Sequence, residues 1–376
     1  MLLSLDARTV HSTRRRGTGK NLVDLYRRLA VMRPGWRFVM FHRGQGHDDP
    51  FAGLPNVEGR KIEMPGDRWD LWERVRLPLA ARATRACLLH CPANTGPRWP
   101  LVPMVLTIHD LIPLEEEFRT PESASWGRRV GAGARKARRI LTPSEYSKRC
   151  IVETFGIPAD KIIVNPWAAD AASRQVTDPA ELERVRAKYG LPPDRPYVFG
   201  FGAADPRKNA ERILSAWAGL GERRRREFVL LLVGIQAPAM DAFRSRARSL
   251  GLDKECLLHG FADQDDLPAL LSGATALCYP SLSEGFGLPL LDAFACGTPV
   301  LTSNGTSLPE VAGEAAVLVD PRGVESIREG LERLLGDESL RRDLVRRGLD
   351  RLKRYSWEAC AATVCRVFGD VMQEAG

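Results

Sequence analysis

Short apolar runs alternate with longer amphipathic stretches along the whole chain. Brief Val-, Ile- and Leu-rich runs bounded by turn residues predict buried strands, and apolar residues at three- and four-residue spacing predict helices. In the first half the strands fall at Leu2–Leu5, Arg37–Phe41, Leu88–Cys91, Val102–Thr107, Arg139–Thr142 and Lys161–Val164. Helical patterns lie between them at Lys20–Met32, Arg74–Thr84 and Glu145–Phe155. The second half repeats the scheme with strands at Tyr197–Gly202, Phe228–Val233, Leu257–His259, Ala276–Tyr279, Val300–Thr302 and Ala316–Val319. Its helices fall at Pro179–Tyr189, Asn209–Gly219, Ala239–Leu250, Asp265–Ser272, Leu288–Cys296 and Val324–Leu335, with Asp265 and Asp337 as N-caps. Strict alternation of strand and helix implies parallel sheets covered on both faces. Two such sets imply two doubly wound α/β domains.

The length agrees, because 376 residues exceed a single typical core. A polar, small-residue stretch at Trp167–Asp178 marks the boundary, dividing the chain into 1–172 and 173–355 before a last helical segment at 356–376. At 44% hydrophobic and 27% charged the composition is that of an ordinary globular protein. No apolar run approaches the roughly 20 residues that span a bilayer. The opening MLLSLDARTV reads as a strand and not as a secretory signal. Eight scattered cysteines without a CxxC pair read as reduced thiols of a cytosolic protein, and no residue set has metal-ligand spacing. The net charge of +8 is uneven. Residues 1–172 carry 28 Lys and Arg against 18 acids, and the remainder 27 against 29. Either Arg is abundant throughout or the first half meets an anionic partner, such as an anionic membrane or a phosphorylated lipid. No nucleic-acid motif accompanies the charge. Trp69 and Trp72 among Arg68, Arg74 and Arg76 either touch lipid head groups or belong to a partly buried helix. The run Arg223–Arg226 reads as a solvated helix end.

The densest chemistry lies in Ser281–Pro299, SLSEGFGLPLLDAFACGTP. Glu284 precedes the turn Gly285–Phe286–Gly287, and a helix begins at Leu288 with Pro289 in its first turn. Free N–H groups at such a helix start suit an anion such as a diphosphate. Asp292, eight residues after Glu284, is within reach of a polyol. Acid, anion-binding turn and acid together describe a site for a sugar joined to a nucleotide. Arg207 and Lys208 follow the strand at Tyr197–Gly202, and ligands of doubly wound sheets bind at the carboxyl ends of strands. These two cations neutralise phosphates on this reading, and Asn209 caps the next helix. The loop Arg14–Lys20 fails as a Walker loop, since Arg14 and Asn21 replace its required Gly and Ser or Thr.

This arrangement resembles the E-x7-E motif of family 4 retaining glycosyltransferases, with Asp292 in place of the second Glu and one methylene shorter. Gly202-Ala-Ala-Asp-Pro-Arg-Lys-Asn209, His259-Gly260-Phe261, Thr107-Ile-His109-Asp110-Leu, Pro143-Ser144-Glu145-Tyr146-Ser147 and Gly17-Thr-Gly19 match further landmarks in order, so the likeness covers nearly the whole chain. The resemblance implies a GT-B fold. In it, two Rossmann-like domains face a cleft, the first binding acceptor and the second nucleotide sugar, and the C-terminal helix crosses back to the first. It assigns catalysis to His109, Arg207, Lys208 and Glu284. Donor binding falls to Gly17, Gly19, Arg207, Lys208, Phe261, Glu284, Gly285, Phe286, Gly287, Leu288 and Asp292, the last on the ribose. His109 either contacts the donor sugar or is a core histidine oriented by Asp110. Phe261, Pro280 and Gly234 either border the base or close strand ends.

Transfer would be retaining, metal-independent and without a protein nucleophile, the leaving phosphate taking the acceptor's proton. The segment Thr107–Pro113 most resembles bacterial mannosyltransferases of surface polysaccharide. The expected donor is therefore GDP-mannose, with UDP-glucose or another UDP-sugar as the alternative. The expected acceptor is a glycan or lipid-linked glycan at the cytoplasmic face of the membrane. Nucleotide-sugar epimerisation and a non-catalytic binding subunit are the competing readings, and the sequence leaves oligomeric state unread.

Overall fold

The computed structural model describes residues 1–11, 17–44, 49–63, 71–202 and 205–374. Arg14, Arg68 and Trp69 lie outside them. The chain forms two compact units, Met1–Trp167 with Ser356–Gly376, and Ala168–Tyr355.

The first unit holds seven parallel strands: β1 (Leu2–Asp6), β2 (Arg37–His42), β3 (Val57–Lys61), β4 (Leu88–Cys91), β5 (Met104–Thr107), β6 (Arg139–Thr142) and β7 (Ile162–Val164). Their spatial order is β3-β2-β1-β4-β5-β6-β7. The second unit holds β8 (Tyr197–Phe201), β9 (Val229–Val233), β10 (Cys256–Leu258), β11 (Ala276–Tyr279), β12 (Val300–Ser303) and β13 (Ala316–Val319). They are also parallel, in the order β10-β9-β8-β11-β12-β13. Central strands such as Leu88–Cys91 and Val229–Val233 are buried at every position, as parallel strands covered by helices must be. The order in which strands are added reverses once in each sheet, between β1 and β4 and between β8 and β11.

Three departures from the sequence pattern have local causes. Strand β3, VEGRK, was absent from the expected set because it is a polar edge strand with exposed ends to its charges. The expected plain helix at Arg74–Thr84 is a π-helical turn, Trp72–Arg76, running into an α-helix, Leu77–Ala83. Asp265 does not cap a helix. It sits in a 3₁₀ turn, Gln264–Asp266, and its neighbour Asp266 is buried against Arg184 at 2.8 Å and Lys188. Asp337, in contrast, accepts from the Leu340 N–H at 2.9 Å as a cap.

The crossover after β7 ends at Trp167, whose ring packs on His109 and Trp357 at 4.9 and 5.9 Å. The final helix, Trp357–Gln373, packs on Thr18–Met32 in the first unit. There Phe368 meets His90 at 5.0 Å, and Asn165 Nδ2 donates to Cys360 Sγ at 3.2 Å. The eight cysteines are free thiols. Arg223–Arg226 form a solvated helix, Glu222–Glu227, with exposed pairs such as Arg223–Glu227.

Candidate functional site

The strand-order reversal of the second sheet carries the expected cations and acid. After β8, Asp205 accepts from the Arg207 N–H at 3.1 Å and starts a 3₁₀ turn, Pro206–Lys208. After β11 the chain runs through Pro280 to Glu284. The two loops are stitched together: the Arg207 carbonyl accepts from Leu282 N at 2.7 Å, and Ser281 Oγ lies 2.9 Å from it. Asn209 does not cap the helix that follows. It adopts a left-handed backbone (φ 62°), and its buried Nδ2 donates to the carbonyls of Pro280 and Pro321 at 2.9 and 2.6 Å. It is a cross-loop tie.

Glu284 is the hub. Its Oε1 accepts from Lys208 Nζ at 2.7 Å, Tyr279 OH at 2.6 Å and Ser281 Oγ at 2.6 Å. Burial raises its pKa, but the Lys208 charge and these hydrogen bonds outweigh that and hold the carboxyl below its ordinary value. It is therefore ionised at neutral pH. Lys208 also donates to Tyr279 OH and lies 4.9 Å from that ring's centroid. An ammonium has three N–H donors, so one remains after Glu284 and Tyr279. Arg207 grips Asp205 through Nε at 2.9 Å and Nη2 at 2.6 Å.

Beyond Glu284 the turn is pinned from behind. The single Ser307 hydroxyl proton is shared between the carbonyls of Glu284 and Phe286, each 2.8 Å from Oγ. Phe286 packs edge-on to Tyr355. Gly287 takes φ 120°, and a Cβ there would meet Leu308 Cδ2 at 2.8 Å, so only glycine fits. The helix Leu288–Ala295 starts at once; Pro289 has no N–H and the Leu290 N–H donates to the Gly287 carbonyl at 3.0 Å, so in this first turn it is the Leu288 N–H that lacks an intrahelical acceptor. Asp292 accepts at Oδ1 from the Asp170 N–H at 2.8 Å and Ser173 Oγ at 2.9 Å. It thus orders the 170–173 loop, a contact its sequence context did not foretell. Phe261 is exposed.

In the first unit His109 follows β5. Its N–H donates to Asn94 Oδ1 at 2.7 Å, and Nε2 meets the Pro92 carbonyl at 2.7 Å. A carbonyl only accepts, so Nε2 carries the proton and Nδ1 is the lone-pair nitrogen. The Pro92 carbonyl orients the ring through this bond, and Asp110 Oδ1 accepts from Ile112 N. Burial lowers the His109 pKa to about 4 against a smaller upward pull from Pro92, which leaves the ring neutral. Gly17, at φ 46°, precedes the helix Thr18–Met32, and Gly19 lies within its first turn. No group of three described residues among His, Cys, Asp and Glu could hold a metal ion.

Two family descriptions divide the chain. "Glycosyltransferase Family 4" matches residues 15–173, and "Glycosyl transferases group 1" matches residues 182–351. The O-antigen chain mannosyltransferase B of Escherichia coli is 30% identical over 371 residues, covering 94% of this chain and 95% of that protein. The chain belongs to glycosyltransferase family 4. Among solved structures, sucrose-phosphate synthase from Thermosynechococcus elongatus overlays with a TM-score of 0.77 at 21% identity, covering 99% of both chains. Anabaena Alr3699/HepE in complex with UDP-glucose gives 0.75 at 17% identity, covering 98% and 99%. These place the enzyme in the GT-B fold.

For this family 4 glycosyltransferase, the structure brings Lys208, Glu284 and the 285–288 turn together, with Arg207 one residue away. Sequence reading missed Tyr279, Ser281, Asp205 and Ser307. The signal for Tyr279 was present: one polar group ends the otherwise apolar strand ALCY, at the edge where ligands bind. Asp205 likewise stands two residues before Arg207, a spacing suited to a side chain that caps its own turn. Trp72 does not reach a lipid surface. It is fully buried, lies 4.5 Å from Arg8 Cζ, and donates to the Ile62 carbonyl at 3.3 Å. What the same segment exposes is Leu71, Val75 and Leu79, with Arg74, Arg76 and Arg82. No helix of the described residues is long and apolar enough to cross a membrane.

Proposed function

We propose that this glycosyltransferase moves a hexose, mannose in the first instance, from a nucleoside-diphosphate sugar to a glycan acceptor with retention and without a metal ion. The observation that carries the reading is the ionised Glu284, clamped at one oxygen by Lys208, Tyr279 and Ser281 at the mouth of an open helix N-terminus. The clamp leaves Oε2 for hydroxyls of the donor sugar. The third Lys208 N–H, Arg207 and the N–H groups of Phe286, Gly287 and Leu288 meet the diphosphate, whose departure they ease as charge develops. Gly285 keeps the turn compact, Asp292 binds the ribose through Oδ2, and Phe261 borders the base. Gly17 and Gly19 offer backbone to the phosphates. The neutral His109 accepts a sugar hydroxyl at Nδ1. With no activated nucleophile in this set, the acceptor hydroxyl attacks on the face the phosphate leaves, and a phosphate oxygen takes its proton.

Mannose is favoured by the mannosyltransferase relative at 30% identity. The structural likeness to a protein holding UDP-glucose keeps a UDP-sugar as the second donor. Incubation with a panel of nucleotide sugars and mannan-type acceptors tests the reading. Acceptor-dependent release of GDP from GDP-mannose, an α-linked product and persistence in excess chelator are expected. Interconverted free nucleotide sugars would instead mean epimerisation, binding without turnover a non-catalytic subunit, and loss of activity restored by one divalent ion a metal-dependent phosphate site.

We also assign weak association with anionic membrane to the exposed Leu71, Val75 and Leu79 beside Arg74, Arg76 and Arg82. Each basic residue near an anionic leaflet contributes about 1 kcal/mol, screened by salt. Co-sedimentation should rise with anionic lipid and fall for Arg74→Glu with Arg82→Glu. Equal sedimentation of that double variant removes this face from consideration.

A further inference from the structure

The chain passes between its two units twice, after Trp167 and after Tyr355. Within the second unit, the residues next to each passage are fastened to the segment 284–292. Near the first, Asp292 Oδ1 accepts from the Asp170 N–H at 2.8 Å and from Ser173 Oγ at 2.9 Å. At the second, the ring of Tyr355 lies 5.8 Å from the ring of Phe286, inclined at 74°. One residue further on, Ser356 Oγ accepts from the Ala359 N–H at 3.0 Å and caps the final helix.

Tyr355 is itself held in place. Its hydroxyl accepts from Arg351 Nη2 at 3.1 Å and donates to the Glu310 carbonyl at 3.4 Å. Arg351 Nε donates to the Val311 carbonyl at 3.0 Å. Glu310 and Val311 belong to the short helix Leu308–Ala312. The same helix backs the glycine turn, since Leu308 Cδ2 lies 2.8 Å from where a Gly287 Cβ would stand, and Ser307 just before it bonds the Glu284 and Phe286 carbonyls. Phe286 is buried between these supports. Close-packed interiors pass displacement on and do not absorb it, so a shift of the Tyr355 ring moves Phe286 and with it the turn.

We propose that Tyr355 is a positioning residue for donor binding: through Phe286 it sets the backbone of the 286–288 turn and couples donor affinity to the chain's second passage between units. Coupling of this kind is reciprocal, so an occupied turn steadies the Tyr355–Ser356 passage in return. The proposal rests on the reading of segment 284–292 as the nucleotide-sugar site and adds a residue that acts through another.

Two variants of the full-length protein test it. Tyr355→Ala should raise the KM for GDP-mannose, or for the UDP-sugar if that is the donor turned over, several-fold with the acceptor KM unchanged. Tyr355→Phe keeps the ring on Phe286 and should restore the donor KM. A tyrosine that only stabilises the fold would lower the active fraction, and so the apparent kcat, without moving either KM. An unchanged donor KM in Tyr355→Ala, or a Phe variant as impaired as the Ala variant, overturns the proposal. Tyr355→Leu, which fills the space without a ring, takes the place of Tyr355→Ala if that protein does not fold. Hydrogen exchange without ligand gives a second readout. The amides of Gly287, Leu288 and Leu290 should exchange several-fold faster in Tyr355→Ala, and those of Leu230–Leu232 in β9 should not change. Unaltered exchange in the turn, or equal acceleration in β9, also overturns the proposal. Should no nucleotide sugar be turned over at all, the transfer reading fails, whereas the exchange comparison still reads the tie between Tyr355 and the turn.

Discussion

The two sheets reverse their strand order at equivalent places, yet what stands there differs. Between β8 and β11 the loops carry Lys208 and Glu284, 2.7 Å apart, with side chains 20% and 12% exposed. Between β1 and β4 the loops carry Arg8 and Thr95, and the π-helical turn adds Glu73. Arg8 binds Asp6 through Nε at 2.8 Å and Glu73 through Nη2 at 2.8 Å, and Thr95 Oγ1 donates to Glu73 at 2.7 Å. These three charged side chains are only 4–5% exposed, and the Arg8 guanidinium stacks on the Trp72 ring. Topology offers a crevice at every such reversal. The difference teaches that side chains decide its use: one reversal keeps its charged pair partly exposed, and the other buries an ion cluster beneath the surface. The first unit then places its neutral His109 one strand further along, after β5.

The largest test of this contrast is Arg8→Met. It would leave Asp6 and Glu73 buried without their cation, and breaking a buried pair this way costs about 3–5 kcal/mol. Denaturant unfolding should register that loss, and hydrogen exchange should locate it in the first unit. A loss below about 1 kcal/mol, the scale of an exposed pair, would mean the buried cluster does not hold the first unit.

At the open reversal the effect should fall on turnover. Lys208→Ala and Glu284→Ala should each lower kcat at least about a hundredfold, the usual result of deleting a directed contact at developing charge. Near-normal rates in a folded variant would break the assignment of this crevice as the donor site.

Acid should separate the two units next. Burial lowers the pKa of His90 to about 3, with a further push from His109, itself lowered to about 4. Both are neutral when folded and protonate first in the unfolded chain. The unfolded state thus binds more protons between about pH 6.5 and 4, and stability there falls as pH falls. At pH 5 the contribution of His90 alone is about 2 kcal/mol. The second unit's Glu284 has a lowered carboxyl pKa, so the stability it adds is present above the ordinary Glu range and lost only as pH drops below that range. Hydrogen exchange at pH 7 and pH 5, corrected for intrinsic rates, should show the first unit weakening and the Glu284 segment unchanged. Equal weakening of both would contradict the buried-neutral histidines.

The smallest effect concerns Asp292→Asn. The amide oxygen can still accept from Asp170 and Ser173, while the carboxylate offered to a ribose is gone. Nucleotide affinity should drop by about 1 kcal/mol, or several-fold, without loss of stability. Unchanged affinity by calorimetry would leave Asp292 as a tie for the 170–173 loop.

Much of this was legible along the chain. Strands such as Leu88–Cys91, Arg139–Thr142, Ala276–Tyr279 and Ala316–Val319 occupy their expected positions, because short, mostly apolar runs between turn signals have few alternatives to a parallel strand covered by helices. Strand β3 was not legible, since its residues are chosen for solvent at a sheet edge. Glu284, Lys208 and the glycine turn were legible as residue types at strand ends. The sequence by itself therefore determined two doubly wound units and which edge of the second holds cations, acid and helix N-terminus. Only the tertiary structure decided that Lys208 and Glu284, 76 residues apart, pair and share Tyr279, that Pro92 fixes the His109 tautomer, and that Arg8 and Glu73, 65 residues apart, pair in a buried cluster. Local pattern reports how each residue meets water and backbone, whereas a hydrogen bond across the fold depends on distances that exist only once the sheets have formed.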